Sequence, residues 1–454
     1  MKKLIYIIAF CLLFLNGTHV SAASRIQPTP DEPIVIVIDP GHGGENEGTI
    51  ENGFLEKSMT MITAQAMYEE LNLYDNIEVY LTRTEDCDMT LKERAEFAAS
   101  VHADFLFSIH YNASVKHDLF GSEVWISSAN PFNAYGYQFG CTQMETMQEM
   151  GLFLRGVKTK KNDRGTDYYG IIREATQLNV PAVIIEHCHV DEERDYPFCD
   201  SEEELVAFGK ADAISVAKYF GLKSELLNID YTSYSAEKLK SADANHTVSS
   251  TEWDDTPPEI CKIETLNGPD EKGMITLQIS AADYDSPLIY YDYSYDNGET
   301  YSPLQIWPGS NVLKGTYTDT FQFTLQVPYD TIPYLTVRAY NQFDTFTVSN
   351  QLVLPLTKSP ESIAEENKKP EELSEEDAES AKQKTKHFFH IPSQLNNAVK
   401  DVDLIDFLLI SMIIVVLLFI SLLIAKCITA SRLRKRRRRQ AKKTLGNTTR
   451  QTHR

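Results

Sequence analysis

Residues 34–38 read Ile-Val-Ile-Val-Ile, five β-branched residues in a row. A run that is apolar on both alternations describes a strand buried on both faces, and such strands belong to parallel sheets with helices on either side. Phe105-Leu106-Phe107-Ser108-Ile109 and Ala182-Val183-Ile184-Ile185 repeat the pattern, and residues 77–81 form a shorter, alternating run. Helical segments lie between them. Met59, Ile62, Ala66 and Leu73 fall near helical spacing within residues 57–73. Thr90 with Glu93 has the spacing of a capping box that opens a helix to about Ser100. Ser201 with Glu204 does the same, and Gly221 is placed to end that helix. Strands alternating with helices over residues 34–222 predict an α/β domain with a largely parallel sheet flanked by helices.

That domain takes up under half of the 454 residues. Residues 1–22 carry Lys2 and Lys3, a short apolar run and a small-residue end at Val20-Ser21-Ala22, which together describe a secretory signal peptide. Residues 23–33 are a Pro-rich tether, and residues 223–255 are polar and read as a linker. From 256 to 356 the pattern becomes short alternating strands dense in tyrosine, with a tight-turn signal at Asp296-Asn297-Gly298. No helical period appears there, so a β-sandwich of the immunoglobulin or fibronectin kind is expected. Residues 357–403 read as a charged, disordered spacer. Residues 404–426 contain an apolar stretch long enough for one transmembrane helix. The basic tail, 427–454, marks the cytoplasmic side. These segments predict a single-pass protein of the cell membrane with its catalytic part outside.

The net charge of −22 hides an asymmetry. Residues 427–454 hold 11 Lys/Arg and no acid, which leaves 30 Lys/Arg against 65 Asp/Glu, a net of −35, between residues 23 and 426. So acidic an exterior argues against a nucleic-acid partner. Five cysteines, Cys87, Cys141, Cys188, Cys199 and Cys261, fall in that stretch and match no zinc-finger or dense disulfide spacing. Cys188 with Cys199 is the one close pair.

Three reactive side chains end the three buried runs. His42 follows the first strand in Asp39-Pro40-Gly41-His42-Gly43-Gly44, His110 follows the second, and Glu186 follows the third. Open α/β sheets bind their ligands beyond the carboxyl ends of their strands. Glu56 begins the helix after His42 and can turn to the same rim. Two histidines and one carboxylate make a catalytic zinc set with a position left for water, and Glu186 is then free to act on that water. Taken singly, each has a plainer account: a satisfied loop histidine, or a solvated residue at a helix start. An unpaired carboxylate after an apolar strand is harder to dismiss, because burying it is costly.

These pieces resemble the zinc-dependent N-acetylmuramoyl-L-alanine amidases, the amidase 3 type of peptidoglycan hydrolase. The resemblance rests on Ile38-Asp39-Pro40-Gly41-His42-Gly43-Gly44, Leu55-Glu56-Lys57, Leu81-Thr82-Arg83, Leu91 with Arg94, Ser108-Ile109-His110-Tyr111-Asn112-Ala113, and the run 180–186 ending in Glu186. It implies that His42, Glu56 and His110 hold Zn2+, that Glu186 is the catalytic carboxylate, and that Asn112 orients or contacts substrate. Arg83 and Arg94 fit structural ion-pair positions. The implied substrate is peptidoglycan, cut between muramic acid and L-alanine. An inactive wall-binding or regulatory protein with the same fold is the alternative. After Glu186 the chain departs from the family pattern with His187-Cys188-His189. These histidines either perturb the site, bind a second ion, or face away. Residues 130–165 are a long connection that either shapes the groove or packs on the surface.

Overall fold

Side chains alternate across a strand, and the three apolar runs use that alternation to build two cores at once. They form β1 (Ile34–Pro40), β5 (Phe105–Asn112) and β8 (Ala182–His189), side by side. Ile36, Ile38, Phe105, Phe107, Ile109, Val183 and Ile185 face one core. Val37, Leu106, Ala182 and Ile184 face the other. The structure, a computed structural model, describes residues 32–236 and 250–367.

A short hairpin, β2 (Ile50–Glu51) and β3 (Phe54–Leu55), follows β1 outside the main sheet, and the strands β4 (Ile77–Leu81), β6 (Ser122–Ile126) and β7 (Leu154–Lys158) complete a six-stranded sheet in the order β4-β1-β5-β8-β6-β7. The first four are mutually parallel. β6 joins β8 antiparallel, and β7 runs parallel to β6. The largely parallel sheet is present, with one antiparallel junction that sequence patterning did not show.

Helices α1 (Glu56–Leu71), α3 (Phe132–Glu149) and α5 (Glu202–Phe220) supply side chains to the first core. Helices α2 (Leu91–Ser100) and α4 (Gly170–Gln177) supply the second. In the first core the Phe105 and Phe107 rings stack 4.6 Å apart, and Phe139 of α3 packs on both. Truncating any one of these to alanine costs about 3–5 kcal/mol. Thr90 and Glu93 form the reciprocal capping box, a contribution of about 1 kcal/mol. Ser201 accepts the Glu204 N–H, and Gly221, at φ 68°, ends α5 in the left-handed conformation.

The connection at 130–165 is regular rather than an excursion: it holds α3 and β7. The helix escaped detection because polar residues occupy its buried face. Asn133, Thr142, Gln143 and Thr146 are all buried there, which blurs the apolar period. Gln143 donates its Nε2 to Asp212 Oδ1 at 2.6 Å. The linker also begins later than residue 223. β9 (Lys223–Ser224) and β10 (Ile229–Asp230) pair as a hairpin, with Leu227, Ile229 and Tyr231 on the first core.

Beyond residue 256 two antiparallel sheets face each other. One contains β11 (Ile260–Asn267), β12 (Met274–Ala282) and β15 (Thr318–Gln326). The other contains β13 (Leu288–Ser294), β14 (Gln305–Ile306), β16 (Tyr334–Asn341) and β17 (Phe346–Val348), with β18 (Leu352–Val353) also on β16. Ile275, Leu277 and Ile279 meet Leu335, Val337 and Ala339 in a core of their own around Trp307. At the expected turn, Asn297 and Gly298 both take positive φ, 62° and 87°.

This sandwich is not a separate body on a string. Its Ile289, Tyr290, Leu304, Val312, Leu313 and Tyr340 belong to the first core of the α/β domain. Gly156 of β7 permits the approach: a Cβ there would lie 2.7 Å from Gln342 Oε1. The start of the predicted disordered spacer is helical instead, α6 (Pro360–Asn367), with the Ser359 hydroxyl accepting the Ser362 N–H as its cap. Among the described residues no helix is long and apolar enough to cross a membrane. The predicted signal 1–22, the span 404–426 and the tail 427–454 lie outside the described residues.

Candidate metal centre and active site

The loop after β1 has to carry His42 back toward β5, and its backbone is bent hard to do so. His42 sits at φ 62°, a conformation that non-glycine residues rarely adopt and that clusters at functional sites. Gly41 lies so close to the neighbouring strand that a Cβ would come within 2.4 Å of His110 Cε1. Two buried arginines hold the bend. Arg94 pairs with Asp39 at 2.6 Å and donates to the carbonyls of Pro40 and His42. Arg83 donates to the carbonyls of Pro40, Gly41 and Lys57. Arg94 thus is an ion-pair residue, while Arg83 serves backbone oxygens.

His42, Glu56 and His110 converge. One donor atom from each lies within 4.8 Å of the other two. His42 Nε2 is 3.0 Å and His110 Nδ1 is 3.1 Å from the same oxygen, Glu56 Oε1. Donors on one tetrahedral ion with bonds of 2.0–2.1 Å stand about 3.3 Å apart, so the set has the right span. The hydrogen bonds point the same way. Asn46 Oδ1 accepts the Gly48 N–H at 3.3 Å, so it acts as acceptor toward His42 Nδ1, 2.9 Å away. That puts the ring proton on Nδ1 and leaves a lone pair at Nε2 facing a carboxylate oxygen. Two acceptors in that position require a cation or a proton between them. Without a metal a proton answers the need. Burial works against charging His42, but the hydrogen bond and charge of Glu56 outweigh it and raise its pKa. Glu56 is correspondingly held well below the usual carboxylate range: burial opposes this, and both histidines override it. Its Oε2 is fixed by the Thr49 N–H at 2.8 Å.

Glu186 reaches the same rim by register. It pairs with His110 across β5 and β8, so the two side chains stand on one face of the sheet. Its Oε2 is shut off from solvent and has no hydrogen-bond partner. Burial first, then the neighbouring Glu56 and Glu123 charges, push its pKa well above the ordinary value. A carboxyl with a raised pKa can both take up and give back a proton, as a general base and then a general acid must.

A family model described as N-acetylmuramoyl-L-alanine amidase matches residues 36–218. The amidase CwlM of Bacillus licheniformis is 30% identical over 190 residues, which span 42% of this chain and 70% of that protein. The chain belongs to this amidase family. The sporulation-specific amidase of Bacillus subtilis (strain 168) is 28% identical over 191 residues, 42% of this chain and 69% of the relative. The solved catalytic domain of CwlV from Bacillus (Paenibacillus) polymyxa var. colistinus is 26% identical, covering 42% of this chain and 99% of its own, with a TM-score of 0.35.

The departure from the family pattern is a matter of strand parity. His187 points to the opposite face from Glu186, where its Nε2 donates to Asp212 Oδ2, 2.9 Å away, and its ring stacks on Tyr111 in the amidase core. His189 is buried against the Gly121 carbonyl. Among the described residues neither joins a second metal-binding group. Cys188 and Cys199 are buried free thiols. Asn112 lies two residues beyond His110, with Nδ2 donating to Glu123 Oε1 at 2.9 Å and Oδ1 accepting the Ala113 N–H.

Sequence reasoning missed Glu123, Arg155 and Lys158 of the amidase sheet. All three are buried, and charges inside apolar strands signal obligatory pairing. It also missed a groove of about 1160 Å³ between amidase and sandwich, lined on one side by Asn52, His117 and Tyr196 and on the other by Tyr301, Gln305 and Arg338.

Proposed function

We propose that this chain hydrolyses the amide between muramic acid and L-alanine in peptidoglycan, with Zn2+ held by His42, Glu56 and His110 and with Glu186 as the proton-transfer group. The convergence of two imidazoles and a carboxylate beside a glutamate, Glu186, whose Oε2 is shut off from solvent and unpartnered carries this reading. Zinc in such a set supplies Lewis acidity, acidifying water and offsetting negative charge on a carbonyl oxygen. Asn46 holds His42 in the tautomer that offers Nε2 outward. Glu186 takes the proton of the attacking water and passes it to the departing amine nitrogen as the C–N bond breaks, leaving a free lactyl carboxylate on the glycan and a free stem peptide. Asn112 sits where it can contact the substrate beside the third ligand. The inter-domain groove offers an extended path for a polymer.

The two ends of the chain supply the place of action in this proposal. A signal peptide, one transmembrane helix at 404–426 and a basic tail would tether the enzyme to the cell membrane with its catalytic part facing the wall, as in a Gram-positive envelope. Digestion of purified wall by the full-length chain, with zinc supplied, tests the reaction. New muramoyl ends without new peptide termini are expected, and Glu186→Gln should keep its zinc and lose cleavage. Full activity in that variant would remove Glu186 from the mechanism. No release by the unaltered chain would favour a wall-binding protein instead.

A further inference from the structure

Two cations sit inside the molecule between the sandwich and the catalytic sheet. Arg155 and Lys158 of β7 are 1% and 0% exposed. Each bridges the same two carboxylates. Arg155 meets Glu123 Oε2 at 2.8 Å and Asp344 Oδ2 at 2.7 Å, and Lys158 meets them at 2.7 and 3.4 Å. Glu123 is on β6, but Asp344 comes from the sandwich, at the turn between β16 and β17, where it takes φ 65°. The four charges cancel, as buried charges must. Tyr290 of the sandwich closes the cluster: its hydroxyl accepts from Arg155 and donates to the Phe120 carbonyl.

The far side of Glu123 faces the reaction centre. Its Oε1 accepts from Asn112 Nδ2 at 2.9 Å and from Trp125 Nε1 at 3.0 Å. Glu123 is also the cross-strand partner of Glu186, as His110 is on the other side. His110, Glu186 and Glu123 therefore stand abreast on three adjacent strands. A continuous chain of ion pairs and hydrogen bonds runs from Asp344 through Arg155 and Lys158 to Glu123 and on to Asn112.

We propose that Asp344 is a positioning residue for catalysis, through which the sandwich sets the placement of Glu123 and Asn112 beside Glu186. The sandwich is then a working part of the catalytic unit rather than a spacer. With Asp344 in place each cation is stretched between two carboxylates, and the plane of Glu123 is fixed. Without it both cations fall on Glu123 alone, water enters from the sandwich side, and the orientation that Asn112 and Trp125 rely on is lost. This inference rests on the amidase reading for its kinetic consequence, but its structural half does not.

The test uses the full-length chain, soluble wall fragments as substrate, and Asp344→Asn. The expected result is a fall in kcat of about tenfold with KM within about twofold, the size that coupled neighbours show. Asp344→Glu, which keeps the charge, should recover most of it. The 15N-labelled indole signal of Trp125, which reports the hydrogen bond to Glu123 and needs no turnover, should shift in Asp344→Asn. Leu313→Ala loosens the same shared core without removing a charge; it should melt earlier yet keep kcat and the indole signal. Unchanged kcat and indole signal in Asp344→Asn would overturn the proposal, as would an equal kcat loss in Leu313→Ala. If the unaltered chain cleaves no wall fragment, the amidase reading fails, and the indole shift alone decides whether Asp344 reaches Glu123.

Discussion

Replacing Arg94 with methionine should be severe, and its severity should depend on pH in a definite direction. The Asp39 carboxylate is 1% exposed, and Arg94 is its only ion-pair partner among the described residues. Removing one partner of a buried pair costs about 3–5 kcal/mol. Thr82 and Ser108 still donate to Asp39 at 2.6 and 2.8 Å, so the lower end, about 3 kcal/mol, is expected, with melting lowered by roughly 5–10 °C. In the unaltered protein burial would raise the pKa of Asp39, but the Arg94 charge and the hydrogen bonds from Thr82, Arg94 and Ser108 outweigh it and leave the group lowered. Its ionised form therefore stabilises the fold above the unfolded value of about 3.9, and that contribution is lost as pH falls through the depressed folded value. In Arg94→Met burial is far less opposed and the folded value rises above the unfolded one. The variant then loses stability as pH rises through that window. The gap between the two proteins is widest at neutral pH and narrows on acidification. Urea denaturation at about pH 7 and about pH 4.5 measures it. A gap that stays constant with pH, or a second change Asp39→Asn that restores nothing to Arg94→Met, would refute this account of the loop.

Asn46→Ala removes the acceptor that orients His42, and zinc affinity should fall about 10–100-fold in a chelator competition; unchanged affinity would mean that the tautomer is set elsewhere. Leu277→Ala opens a cavity in the sandwich core, where Leu277 is fully buried, and should cost about 2–5 kcal/mol. Because the sandwich shares the first core of the amidase domain, activity should disappear at the same lowered temperature as the sandwich structure, and two separated transitions would contradict that coupling.

The catalytic rim was legible in the sequence because its cues are local. Five β-branched residues announce β1 and a histidine stands three residues past Asp39; a mostly apolar run likewise precedes His110 and Glu186. Thr90, Ser201 and Gly221 marked helix ends through contacts only a few residues away. Helix α3 was not legible because it buries Asn133 and Gln143 against polar partners from other elements and Thr146 against its own Thr142 carbonyl, so its buried face does not look apolar. The reach of His187 away from the site follows from strand parity, yet needed the neighbouring helix α5 to supply Asp212.

Short-range chemistry in the chain dictated the strands, their alternation between two cores, and the order in which the metal-binding and proton-transfer groups emerge at one edge. Folding decided the rest: that β6 turns antiparallel and sets Glu123 beside Glu186, and that the second domain packs into the first instead of trailing it. The reason is separation. Arg155 and Asp344 are 189 positions apart, and no local pattern in either strand or turn names the other as its counter-charge until both are driven out of water into one interface.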